Sequence, residues 1–396
     1  MFADRLKSLQ PSATLAVQAK AKAMRARGID VISFSLGEPD FDTPERIKQA
    51  ACRALERGQT KYTEVAGIPE LREAVCQKLR RDNGLEYRPA EVVISCGAKH
   101  TLYNIFLALL NEGDEVLIPS PYWVSYPEQV KLLGGVPVAV PTEESRGFEV
   151  DPDRLRAAVT PRTRAIVLNS PNNPTGAVFS AEALRAIAAL AVERDLWVIS
   201  DECYEALTYG LRRVSIATLG PEIKARTIVV NTCSKAYAMT GWRIGYAAGP
   251  EPLAAAMADV QSQVTSNPSS VAQWAAVEAL TGPQDDVAKM VGEFDRRRRA
   301  LVEGLNSIVG IPCVMPRGAF YAFPDVSGLF GKHWHGTAVT GSSAVAAFFL
   351  EAARVAVVPG LDFASDHHVR FSYAAGLGTI TEGLGRMADA VRSLDG

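Results

Sequence analysis

The chain has 396 residues, 47% hydrophobic and 22% charged, a globular composition with material for two domains. A formal net charge of −2 gives no field suited to nucleic acid or a membrane surface. Its six cysteines (Cys52, Cys76, Cys96, Cys203, Cys233 and Cys313) show neither close metal-ligand spacing nor a disulfide framework, and there is no signal-like opening or long apolar run, so a soluble cytoplasmic protein is expected.

In chain order, residues 15–28 read as a helix rich in Ala and Lys/Arg, and the run from Val31 forms a short strand that breaks at Gly37-Glu38-Pro39. Thr43-Pro44-Glu45 reads as an N-cap followed by a proline at the first helical position. From residue 90 to 250 apolar runs alternate with helical segments. The runs are Val92–Ser95, Glu115–Pro119, Ala165–Ser170, Leu196–Ser200 and Thr227–Thr232; the helices include 99–110, 122–133 and 180–194. Strands that are apolar throughout are covered on both faces, which predicts a mostly parallel α/β sheet, with Arg243–Gly249 as one more short strand. Beyond Pro283, apolar residues at helical spacing from Val287 to Ile308 predict a long amphipathic helix, with Arg296–Arg299 on its solvated face. Short strands (Ala319–Phe323, Ala356–Val358, Val369–Tyr373) and helices (343–353, 379–393) then suggest a smaller α+β domain. The Gly-, Thr- and Ser-rich stretch Ser327–Ser342 reads as a surface loop.

Several clusters at strand ends carry chemistry. Lys235 lies just past the strand Thr227–Thr232, where a firmly held lysine can form a Schiff base with an aldehyde cofactor. Arg243, beside two glycines, can hold a phosphate. The small-residue turn Ser95-Cys96-Gly97-Ala98-Lys99-His100 opens a helix whose free N–H groups suit the same anion. Trp123 follows a strand and suits stacking on a flat ring. Asn169–Gly176 is a polar, proline-rich turn. Asp201 closes an apolar strand and needs a cationic partner such as a protonated pyridine nitrogen, with Tyr204 three residues on to bond a phenolic oxygen. Arg370, within an apolar strand, needs an anion, and a carboxylate fits its fork. Together these describe pyridoxal 5′-phosphate (PLP) beside an amino acid.

The motifs SLGEPDFDTP, KYTEVAGIPELREAV, GAKHTLYN, SPYWVSYPEQV, NSPNNPTG, SDECYE, SKAYAMTGWRIGY, GAFYAFPD and VRFSYA span nearly the whole chain. In combination the chain resembles the class I aminotransferases of PLP fold type I, and most of all the bacterial aspartate and aspartate/prephenate subgroup. The resemblance implies a large α/β PLP-binding domain (45–285) with a mostly parallel sheet flanked by helices, and a smaller α+β domain from both termini (1–44 and 286–396). It makes Lys235 the Schiff-base lysine, pairs Asp201 with the ring nitrogen and assigns Asn173 and Tyr204 to the ring oxygen. Trp123 would stack on the ring, while Ala98, Lys99, Thr232 and Arg243 line the phosphate or its surroundings. Tyr62 would reach the phosphate across a homodimer, and Gly37, Asn173 and Arg370 would hold the substrate α-carboxylate. Lys99, with Ser12 or Thr14, would bind the distal carboxylate of an acidic substrate.

No metal is expected, because PLP chemistry needs none. Cis peptide bonds are expected before Pro121 and Pro174. Thr232 replaces a serine common in relatives but keeps the hydroxyl. The segment around Lys332-His333-Trp334-His335 is longer than the family's usual one, and at the site entrance it would bear on substrate choice. The implied reaction is transamination, with aspartate and 2-oxoglutarate foremost. Alternatives are an aromatic or prephenate aminotransferase, another PLP-dependent lyase, synthase or oxidase, and a non-catalytic descendant of the scaffold, against which the intact Lys235 argues.

Overall fold

The computed structural model describes residues 3, 6, 7, 9, 13–211 and 213–395, with only the backbone of Ala13 and Thr14. Ser12 and the Thr14 hydroxyl therefore lie outside the described residues. After a helix at Ala13–Ala26 comes a two-residue strand, β1 (Ile32–Ser33). The central sheet follows, with β2 (Val92–Ser95), β3 (Glu115–Ser120), β4 (Val136–Pro141), β5 (Thr163–Asn169), β6 (Trp197–Asp201), β7 (Thr227–Thr232) and β8 (Gly245–Ala248). Its order is β2-β8-β7-β6-β5-β3-β4, and only β8 runs antiparallel to its neighbours. Every residue of β2, β3 and β7 is buried, as nearly continuous apolar runs require when helices cover both faces.

β4 was not legible as a strand. It is the half-exposed edge and contains Pro137 and Pro141, residues that a ladder tolerates only at its margin. At the other end, β8 packs close under the helix Ala98–Leu109. A Cβ at Gly245 would sit 2.3 Å from the Ala98 nitrogen, so glycine is required there.

The C-terminal third builds further small sheets. β9 (Tyr321–Ala322) precedes the hairpin β10 (His333–Trp334) and β11 (Thr337–Ala338). β12 (Val355–Ala356) pairs with β1, joining the two ends of the chain, while β13 (Val358–Pro359) and β14 (Val369–Ser372) form an antiparallel sheet with β9. One apolar core combines Ile32 and Phe34 with Phe294, Phe320, Phe371 and Met387. No helix among the described residues is long and apolar enough to cross a membrane.

Three local expectations are corrected. Thr43 does not cap the helix Glu45–Glu56. Its hydroxyl donates to the Ala238 carbonyl (2.6 Å) and accepts from the Trp242 indole (3.0 Å), while Pro44 occupies the cap position. The run Arg296–Arg299 is not one solvated face. Arg297 is buried, bonding Asp40 (2.7 Å) and Glu293 (2.9 Å), and Arg298 is buried against Asp295 and the Pro316 carbonyl. Four consecutive residues sweep around a helix, so two of them necessarily turn inward. The segment 327–342 is partly ordered: the β10–β11 hairpin exchanges backbone bonds between His333 and Asp395, and Trp334 packs on Phe348.

Phe294 is fully buried, with ring centroids 5.5 Å from Phe41 and 5.4 Å from Phe320. Phe294→Ala should therefore cost about 3–5 kcal/mol, from lost transfer energy and the cavity left behind. Urea denaturation should show the midpoint falling, and a loss under about 1 kcal/mol would mean that the core refills.

Candidate active site

Open α/β sheets bind ligands beyond the carboxyl ends of their strands, and a cavity lies there. Asn169 closes β5, Asp201 closes β6 and Thr232 closes β7; all three line it. So do Gly37, Ala98, Lys99, Trp123, Asn173, Tyr204, Lys235, Arg243 and Arg370. Among the described residues every predicted site residue is thus in one cavity except Tyr62, which is 91% exposed elsewhere. No residue of 327–342 lines the cavity, so the expectation that this segment stands at its entrance is not met. The peptides before Pro121 and Pro174 are cis, as is the one before Pro171, which was not foreseen.

Lys235 sits in the short turn after β7, and its ammonium donates to the Gly37 carbonyl and lies 5.7 Å from the Tyr204 and Phe320 ring centroids. Burial pushes its pKa down to about 8, only partly opposed by Cys203. Asp201 is buried. It accepts from the Tyr126 hydroxyl (2.6 Å) and the Cys203 backbone N–H (3.1 Å). Burial still raises its pKa despite these bonds and the nearby Lys235, so this carboxylate is short of a close cationic partner. Tyr126 stands edge-on to Trp123 (centroids 5.3 Å apart, 86° between planes).

Arg370 is 2% exposed. It donates to Asn173 Oδ1 and to the Ser35 carbonyl, both at 3.0 Å, and its Nε has no partner. Among the described residues no carboxylate pairs with it. Its guanidinium lies 4.6 Å from the Tyr321 ring, and burial lowers its pKa, as expected for a cation awaiting an anion. Using Asn173 Oδ1 as acceptor leaves that amide's NH2 free to donate. Tyr204 and Tyr321 share a hydroxyl contact of 2.9 Å, and a Cβ at Gly37 would meet the Tyr321 oxygen at 3.0 Å.

The other end of the cavity is also cationic. Arg243, in a left-handed conformation (φ 58°), donates to the Thr240 carbonyl (2.8 Å) and the Cys96 carbonyl (3.3 Å). Gly97 has φ 87°, a left-handed conformation that favours glycine, and a Cβ there would displace the Arg243 terminal nitrogen 2.3 Å away. The following helix start presents the N–H groups of Ala98 and Lys99, which have no intrahelical acceptor. Lys99 holds its ammonium 5.0 Å above the Trp123 ring; desolvation and the Arg243 charge lower its pKa. Thr232 caps the turn carrying Lys235 by accepting from the Ser234 N–H (3.1 Å) and bonds the Ser234 hydroxyl (2.8 Å).

The reading of the sequence did not single out Tyr126, Ser234 or Tyr321. Tyr126 and Tyr321 stand in quoted motifs, but an aromatic beside a strand end reads equally as core. Only the contact to Asp201 or Tyr204 distinguishes them.

The assembly is a PLP fold type I architecture: a large, mostly parallel sheet with a buried lysine, carboxylate and arginine at its carboxyl edge. The family model for aminotransferase class I and II matches residues 29–383, and the chain belongs to that family, whose enzymes use PLP. The chain is 49% identical over 390 residues to the aspartate aminotransferase of Geobacillus stearothermophilus, covering 98% of each. It is 50% identical over 396 residues to a probable aspartate/prephenate aminotransferase of Aquifex aeolicus, covering 99% of each. Its structure is similar to the aspartate aminotransferase of Rhizobium meliloti, with a TM-score of 0.97 at 46% identity over all of both chains. It is also similar to that of Thermus thermophilus with maleate, with a TM-score of 0.93 at 48% identity over 98% of this chain and 99% of the other. The protein is a PLP-dependent aminotransferase.

With its pKa at about 8 rather than 10.5, Lys235 is largely neutral above pH 8 in the cofactor-free protein. Trace acetylation followed by peptide mapping should show its labelling rise through a midpoint near pH 8, below that of exposed lysines. A midpoint near 10 would show that the cavity does not desolvate it.

Proposed function

We propose that this chain transaminates a dicarboxylic amino acid, aspartate foremost, with 2-oxoglutarate as acceptor. The observation that carries this reading is the pairing in one cavity of two cationic groups, Arg370 and Lys99, that have no carboxylate partner among the described residues. An α-carboxylate on Arg370 and a distal carboxylate at Lys99 would satisfy both. The Thermus thermophilus relative, determined with the dicarboxylate maleate, supports the same reading. A second reading, prephenate as amino acceptor, is favoured by relatives named aspartate/prephenate aminotransferase.

The residues fit PLP. Asp201, short of a cation, suits a protonated ring nitrogen, and Trp123 offers a stacking face. The Asn173 amide and the Tyr204 hydroxyl suit the ring oxygen. The Ala98 and Lys99 N–H groups, Thr232 and Arg243 suit the phosphate. When bound, the cofactor supplies an electrophilic aldehyde and an electron-withdrawing ring.

Around it, the chain's own groups bind and move protons. Arg370 and Asn173 fix the substrate carboxylate, which orients the α-carbon. Lys235 Nζ, its pKa lowered to about 8 by burial, would take the proton from the substrate α-carbon and, in the second half of the reaction, return one to the α-carbon of the product. Tyr126 and the Cys203 N–H fix the Asp201 carboxylate and oppose the effect of burial on it, so that it would pair with a protonated ring nitrogen.

We infer two domains, 45–285 and 1–44 with 286–396, and a homodimer in which Tyr62 reaches the partner's phosphate site. The exposed Tyr62 ring supports this arrangement.

Lys99→Ala should lower kcat/KM for aspartate at least about tenfold, roughly 1.4 kcal/mol of transition-state binding, while sparing a neutral amino donor. An amino-donor screen with 2-oxoglutarate and oxaloacetate checks both parts. Inactivity with aspartate, or an equal loss for every donor, would defeat the assignment. Tyr62→Phe should raise the PLP dissociation constant several-fold in a protein that sediments as a dimer. A fully active monomer would refute the shared site.

A further inference from the structure

The segment Ser200-Asp201-Glu202-Cys203-Tyr204-Glu205 has two faces. Asp201 and Tyr204 line the cavity, whereas Ser200 and Glu202, one residue either side of Asp201, point away from it, as alternation along a strand dictates. Glu202 is 2% exposed and Glu205 8%, and the proposed chemistry uses neither. Behind the turn they meet two cations. Arg213 donates to Glu202 Oε2 (2.9 Å) and, through its other terminal nitrogen, to Glu205. Lys78 pairs with Glu205 and donates to Asn83 Oδ1 (2.7 Å). Asn83 Nδ2 donates to Glu202 (3.2 Å) and Glu205 (2.8 Å), and the Ser200 (3.0 Å) and Ser215 (2.5 Å) hydroxyls donate to Glu202 Oε1.

The cluster holds two positive and two negative side chains, so its formal charge is zero. Asp82 lies 3.8 Å from Lys78 and 2.6 Å from Arg81, which balances its charge, and Tyr87, Cys203, Cys233, Tyr237 and Tyr246 are the other titratable groups around the cluster. Burial raises the pKa of Glu202 against the pull of Arg213, whereas for Glu205 Lys78 and Arg213 outweigh burial and hold the carboxyl at about 2. A buried charge cluster of this kind adds little net stability over apolar packing, so its presence directly behind Asp201 asks for another reason.

We propose that Glu202 and Glu205, held by Arg213 and Lys78, are positioning residues: they fix the turn from behind so that Asp201 and Tyr204 keep their aim, and their charge balance leaves the field in the cavity unbiased. This rests on the PLP reading above. Glu202→Gln keeps the shape of the side chain but leaves the cluster with one net positive charge. A positive charge beside the site disfavours protonation within it. In the PLP-loaded variant, the pH midpoint of the visible absorption band should therefore fall by about half a unit or more. Glu202→Gln combined with Arg213→Met restores neutrality and should return the midpoint towards wild type, even where thermal stability stays lower. A role in stability alone would move the thermal midpoint and leave the titration in place.

Should Glu202→Gln fail to fold, Ser215→Ala removes one bond to Glu202 and no charge. It should keep the titration midpoint while weakening PLP binding about threefold or more. An unshifted midpoint in the loaded Glu202→Gln protein, an equal shift in the double variant, or unchanged PLP binding in Ser215→Ala would each overturn the proposal. Wild-type protein that develops no visible band with PLP would refute the cofactor reading instead.

Discussion

A carboxylate at the buried end of a strand cannot remain ionised without a positive partner, and much of this site is arranged around that constraint at Asp201. Water is excluded by the apolar strands on either side, so its charge must be answered by fixed groups. A tyrosine hydroxyl and a backbone N–H answer part of it. Lys235 is the nearby cation, but burial makes it a weak one. The residual imbalance is what makes the cavity receptive to a cationic heteroaromatic ring.

The same logic, with the sign reversed, governs the two ends of the cavity. Arg370 is desolvated and tied to neutral acceptors only, so it carries its charge towards the open space. Arg243 and the start of the helix Ala98–Leu109 add positive potential at the other end. A ligand with a phosphate at one end and a carboxylate at the other meets complementary potential along its length, and one lacking either leaves a costly cation unanswered.

Much of this was legible in the sequence because buried parallel strands are unbroken apolar runs and polar residues closing them stand out. Lys235, Asp201 and Arg370 were visible for that reason. What escaped is equally instructive. β4 was hidden by its prolines, which only its edge position excuses. Tyr126 looked like packing, because its function is a single hydroxyl contact to a residue 75 positions away. Arg297 and Arg298 looked solvated, because their partners lie on Asp40, at the Pro316 carbonyl and in the helix itself.

The two ends of the central sheet are both closed to extension. At β2, the Ile94 N–H is taken by the Ala66 carbonyl (2.9 Å), and its own carbonyl accepts from Gln261 (2.8 Å). At β4, two of six residues are prolines with no N–H to offer. Neither margin is a template on which a strand from another chain can be laid, which removes the usual route by which large sheets aggregate. Pairing between copies along this sheet is thereby disfavoured, and the surfaces outside it can evolve without putting the sheet that carries Asp201 at risk.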